Sequence, residues 1–186
     1  MGTRNVRMAT SFYQHNETFA RWSPQLGEDS PAGERACRAF GDALVGKIGS
    51  EFRTLGLQIG YAYENSSICV ENGSAPPPYD PATYVPNARP GARAPHVWIE
   101  DGVSTLDLFG RSFVLLRFAG APSADRIAQA AAAPNVPLTV RDIGSEEAAA
   151  TYANKLVLVR PDGHVAWRAD AAPADCSALI KRVRGA

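Results

Sequence analysis

The sequence predicts an α/β fold, a central sheet flanked by helices, preceded by an N-terminal helical segment and a proline-rich loop. Three observations carry this. In the second half of the chain, short apolar runs alternate with amphipathic stretches. The last two runs are separated by turn chemistry, Pro161-Asp162-Gly163. A proline-dense stretch from Ala75 to Pro95 divides that half from a first half whose apolar residues recur every three or four positions. A chain of 186 residues with 45% hydrophobic and 20% charged residues can bury a sizeable core.

Residues 1–25 carry Val6, Ala9, Phe12, Asn16 and Phe19 at roughly helical spacing, ended by Ser23-Pro24. Ser30 is placed as the N-cap of a second helix with Pro31 at its first position. Cys37, Phe40, Leu44, Ile48, Phe52 and Leu55 then line one face, and Gly56 is placed to end the helix. Gly41, Gly46 and Gly49 each cost that helix about 1 kcal/mol against Ala, so close packing against a neighbour is expected there. From Gln58 to Val70 alternation with Ile59, Tyr61 and Tyr63 on one side predicts strands, and Asn72-Gly73 marks a turn. The prolines that follow predict a stiff, extended surface loop.

Beyond the loop, Phe113–Phe118 reads as a central strand, and Ser123 opens a helix to about Ala133. Leu138–Ile143 is a second strand and Ser145-Glu146-Glu147 starts a second helix. Lys155–Arg160 and His164–Arg168 form a hairpin, and Cys176, Leu179, Ile180 and Val183 line a last helix. Strand, helix, strand, helix, hairpin, helix is the order of a thioredoxin-like domain. The expected division is 1–86, a helical segment with short strands, and 87–186, the thioredoxin-like domain.

Nineteen Lys plus Arg balance nineteen Asp plus Glu, so no overall field favours nucleic acid or an anionic membrane. The N-terminus MGTRNVRMATSF lacks an apolar run and no stretch approaches a membrane span, which reads as a cytoplasmic protein. Val6 stands where a myristoylation signal after Gly2 wants Ser or Thr. Cys37, Cys69 and Cys176 are far apart and are expected to be reduced and mainly buried. Without a secretory signal, the glycosylation patterns at Asn16, Asn65 and Asn72 are discounted.

Chemical motifs are sparse. Where a thioredoxin carries its two cysteines this chain reads Gly120-Ala121-Pro122-Ser123-Ala124, so thiol-disulfide exchange is excluded there. Gly41 to Lys47 echoes a phosphate-binding loop, but Ile48 replaces the hydroxyl residue and the surroundings read as helix. No GxGxxG is present, so the chain is not expected to hold FAD alone. His15, His96 and His164 have no second ligand at metal spacing, and His164 reads as a surface residue. Asp107 and Asp142 read as capping or turn contacts. Trp98, Trp167, Phe109, Phe113 and Phe118 follow strand spacing and read as core or interface; Trp22 has no assigned role.

Four motifs in order then resemble the C-terminal region of FAD-dependent aromatic-ring hydroxylases. They are Arg89-Pro90-Gly91, Arg93-Ala94-Pro95-His96, Ser104-Thr105-Leu106-Asp107-Leu108-Phe109-Gly110, and Val157 through Arg168. The resemblance implies the same thioredoxin-like fold and a non-catalytic module, with FAD and NAD(P)H bound by the parent enzyme and no cofactor in this chain. It also implies the parent's flavin-binding domain as partner, a homodimer as a further pairing, and residues 1–86 as the end of the flavin and substrate part plus linker. Arg89, Arg93 and His96 share one loop of the pattern and are the candidate interdomain docking residues; alternatively the arginines bind carbonyls of the loop itself. No activity is expected from the chain alone. The rival reading is an independent thioredoxin-like binding or assembly protein without redox activity.

Overall fold

The computed structural model describes residues 23–186, and the helix expected over the first 25 residues, with His15 and Trp22, lies almost wholly outside them. The described residues form two compact units, 23–58 with 80–84 and 59–79 with 85–186. Residues 59–79, placed by the sequence before the boundary, thus belong with the sheet.

In the first unit a 3-10 turn, Pro24–Gly27, leads to α1 (Pro31–Phe52). Ser30 caps α1 by accepting from the Gly33 amide at 3.1 Å, with Pro31 in the first turn. The helix stops at Phe52, earlier than expected, and Gly56 lies inside a separate short helix, α2 (Leu55–Gln58). A side chain at Gly56 would strike the Asp80 and Thr83 carbonyls, so close backbone approach, and not helix termination, is what needs glycine there. Among the described residues, the packing expected around the α1 glycines is not seen at two of them. A Cβ on Gly41 or Gly46 would meet nothing within 4 Å. The face expected to be buried is largely open too. Phe40 and Leu44 are half-buried, while Cys37, Phe52 and Leu55 are exposed.

The second unit is built on β3 (Phe113–Arg117), β4 (Leu138–Asp142), β5 (Leu156–Val159) and β6 (Val165–Ala169), after a small pair, β1 (Trp98–Glu100) and β2 (Val103–Ser104). The main sheet runs β4-β3-β5-β6. β3 is parallel to β4, with Leu115 opposite Val140, and antiparallel to β5, with Leu115 opposite Leu158. β6 is antiparallel to β5. Parallel pairing requires a crossover, supplied by α3 (Asp125–Ala132), whereas the antiparallel pair closes through the turn at Gly163, φ +77°. With α4 (Glu146–Tyr152) and α5 (Cys176–Val183), this is the thioredoxin-like arrangement.

Side chains alternate across the sheet and build two cores. On one face Phe113, Leu115, Leu156, Leu158 and Trp167 meet Ile127 of α3 and Leu179, Ile180 and Val183 of α5. On the other Val114, Leu116, Val157 and Val159 meet Ala148 and Tyr152 of α4, joined by Ala88, Ala94 and Val97. The end of the proline-rich stretch is therefore core, not surface loop. Its prolines rule out a helix, but small residues let the extended backbone lie flat on the sheet.

Residues 59–70 form no strand. They make one isolated bridge, Ala62 with Ala92, and bonds from the Tyr63 amide to the Gly91 carbonyl (2.8 Å) and from Val70 to Ala166 (2.8 Å). Asn65 in the left-handed region (φ 56°) and the Ser66–Cys69 turn break the alternation.

Candidate functional site

The Arg89–Trp98 segment is held by its backbone and by its buried side chains. The Gly91 amide donates to Val165 (2.7 Å), Val165 to Ala92 (2.9 Å) and Ala94 to Gly163 (2.8 Å), so the loop pairs with the hairpin like a short extra strand. Gly91 has φ +86°, and the Tyr63 carbonyl sits 2.6 Å from where a Cβ would be, which no other residue would tolerate. Further along, the Pro95 carbonyl accepts from the Thr105 hydroxyl (2.7 Å) and the Tyr152 hydroxyl (2.8 Å), and Thr105 in turn accepts from the Val97 amide (3.1 Å). Ala92, Ala94, Pro95 and Val97 are buried while Arg93, His96 and Trp98 are exposed. The exposed positions, set between buried neighbours, place these three side chains in solvent.

His96 and Trp98 meet edge-to-face, ring centroids 4.8 Å apart at 89°. Trp98 is 59% exposed and Trp167 6%, so of the core or interface expectation they shared Trp167 takes the core and Trp98 does not. Asp107 lies close by. Hydrogen bonds from the Ser104 amide (2.7 Å) and hydroxyl (2.9 Å) hold its carboxyl below the usual range, and His96 lowers it a little further. It completes a capping box on the Thr105–Leu108 turn, the contact expected of it. Asp142 pairs with Arg117 at 3.4 Å.

Arg89 behaves differently from Arg93. It is 9% exposed, its Nε donates to the Ser74 carbonyl at 2.9 Å, and Glu71 is 4.0 Å from Nη2. It ties the Asn72-Gly73 turn to the loop. Arg168 donates from Nη1 to the Tyr152 carbonyl (3.2 Å), and burial, with Arg89 nearby, pushes its guanidinium below the ordinary range.

Two further expectations are corrected. His164 is buried, covered by Tyr63 and Tyr61 at 4.4 and 5.3 Å, because the turn folds its ring under the 59–70 segment. Cys37 is exposed, its thiol donating to the Leu26 carbonyl, because the α1 face that carries it is open; Cys69 and Cys176 are buried. Sequence reasoning did not count Trp98 among the docking residues; its place two residues after His96 in an extended segment, which sets both on one side, was the available signal.

Gly41-Asp42 lie inside α1 with helix on both sides, and not at a strand-to-helix turn that would bring backbone amides to a phosphate. Among the described residues, no three His, Cys, Asp or Glu side chains gather as metal ligands, and no helix is long and apolar enough to cross a membrane.

Fold and site together define a thioredoxin-like module that presents a rigid, outward-facing loop and lacks the thioredoxin cysteines. The chain belongs to the aromatic-ring hydroxylase C-terminal family, whose profile matches residues 87–186. The FAD-dependent monooxygenase apdD of Emericella nidulans is 36% identical over 172 residues, 84% of this chain and 27% of that protein. The tetracenomycin B2 monooxygenase-dioxygenase of Streptomyces olivaceus is 40% identical over 143 residues, 67% of this chain and 25% of that one. A structure of RebC soaked with chromopyrrolic acid, with 7-carboxy-K252c bound, superposes with a TM-score of 0.81 at 40% identity, covering 95% of this chain and 34% of that chain. The chain thus spans about a quarter of the curated relatives' length and about a third of the solved one's.

Proposed function

We propose that this chain serves as the non-catalytic C-terminal module of an FAD- and NAD(P)H-dependent aromatic-ring hydroxylase in the cytoplasm, and that Arg93, His96 and Trp98 dock it on the flavin-binding part. The parent reaction would insert one oxygen atom of O2 into a phenolic or polyketide-like ring. The flavin supplies that chemistry, and this module's contribution is positional. The observation that supports docking is a shared exposure: an exposed Trp beside an exposed His, with an exposed Arg in the same loop, on a backbone held by buried partners, is the composition enriched at recognition surfaces. Arg89 is left out of the docking set, since its guanidinium is used within the loop.

The test is a titration of the purified chain into an FAD-loaded relative lacking its own C-terminal region. The expected result is a one-to-one complex at micromolar concentration, with the chain colourless before mixing. Absence of association at tens of micromolar would favour the independent assembly protein. A yellow preparation with stoichiometric flavin in the chain alone would overturn the non-catalytic assignment.

A further inference from the structure

His164 is 3% exposed at the start of the returning arm of the hairpin. Its Nδ1 lies 3.2 Å from the Asp162 carbonyl and 3.6 Å from the Asp162 carboxylate, and its Nε2 is buried with no hydrogen-bond partner. A carbonyl can only accept, so the neutral ring carries its proton on Nδ1 and leaves a bare lone pair at Nε2. The same residue is the backbone seam of the loop. It bridges Arg93, its carbonyl accepts from Arg160 (2.8 Å), and the bonds from Gly91, Ala94 and Val165 flank it.

We propose that His164 is a proton-sensitive latch holding residues 91–94 and the Tyr61–Tyr63 cover onto the hairpin. Neutral, the ring packs against both tyrosines. Protonated, it carries a charged N–H at Nε2 with no acceptor, a group that is costly to keep buried, so the ring must reach water and lift its cover. The groups facing it do not offset this. Asp162 favours the charged ring and Arg93 and Arg160 oppose it; the covering segment adds Tyr61, Tyr63 and Cys69, the last two with pKa raised chiefly by burial and so neutral near pH 7. Burial is the largest influence and pushes His164 below its ordinary 6.5. The closed form then binds fewer protons than the open form. Its advantage is complete above about pH 6.5 and declines as pH falls, levelling off below the closed-state pKa.

The experiment is amide hydrogen exchange of the full chain from pH 7.5 to 5, corrected for intrinsic rates, reading Gly91, Ala94 and Val165 against Leu115 and Leu158 in the sheet. Seam protection is expected to be flat above pH 6.5 and to fall by up to about tenfold per unit below it, with the sheet amides unchanged. His164→Gln should abolish the acid limb; if that variant fails to fold, His164→Phe, which keeps the ring contacts, replaces it. Equal pH dependence at seam and sheet, or an acid limb that persists in the variant, would overturn the latch.

Discussion

Two helices with the same apolar spacing end differently. In α5, eight residues long, Cys176, Leu179, Ile180 and Val183 are all buried against the sheet. In α1, 22 residues long, the same three-or-four spacing leaves Cys37 and Phe52 in solvent, and among the described residues the element packed on it in its own unit is the Pro24–Gly27 turn. Periodicity decides which side chains share a face. Whether an opposing surface exists is decided elsewhere in the chain, here by the strand patterns that build a sheet beneath α5. Ser30 and Pro31 start α1 whatever covers it, because capping is local.

The sharpest test of that contrast compares Ile180→Ala with Phe52→Ala in denaturant melts. Ile180 is 1% exposed, and its truncation should cost about 2–5 kcal/mol. Phe52 is 82% exposed, and its loss should stay within about 0.5 kcal/mol. A cost above about 1 kcal/mol at Phe52 would mean that its face is covered after all.

The next largest effect separates the two arginines of the loop. Arg89→Ala removes the donor of the Ser74 carbonyl and should destabilise the domain by about 1–3 kcal/mol, whereas Arg93→Ala should stay within about 0.5. Matching losses would return Arg93 to a local structural role.

A smaller, site-by-site contrast comes from timed alkylation read by mass. Cys37 on α1 should react first and Cys176 and Cys69 resist, the latter also because burial pushes its thiol up and thins its thiolate. Rapid modification of all three would break the division between open helix and closed core.

The sheet half was legible because each of its signals is local or period-two. The apolar runs at Phe113 and Leu156, the caps at Ser145 and Ser30, and the turn at Gly163 all stand where expected. Misread segments depend on distant partners. Tyr61 and Tyr63 alternate like a strand, but both rings pack on His164, a hundred residues onward, and that contact also buries a histidine that reads as surface. The proline-rich loop has no periodic signature, so its burial follows from Thr105 and Tyr152 holding Pro95, which no spacing announces. Of the candidate docking residues, Arg93 and His96 are exposed, Arg89 is buried on the Ser74 carbonyl, and Trp98, read as core or interface, is on the open side.

The central claim is that stability and docking reside on opposite sides of one loop. Its most direct measurement is the affinity of the Arg93→Ala, His96→Ala double variant for the FAD-loaded flavin-binding part, taken beside its melting midpoint. The account predicts binding at least tenfold weaker than wild type, about 1.4 kcal/mol, with the midpoint unchanged. Wild-type affinity, or an affinity loss that appears only together with a lowered midpoint, would contradict it.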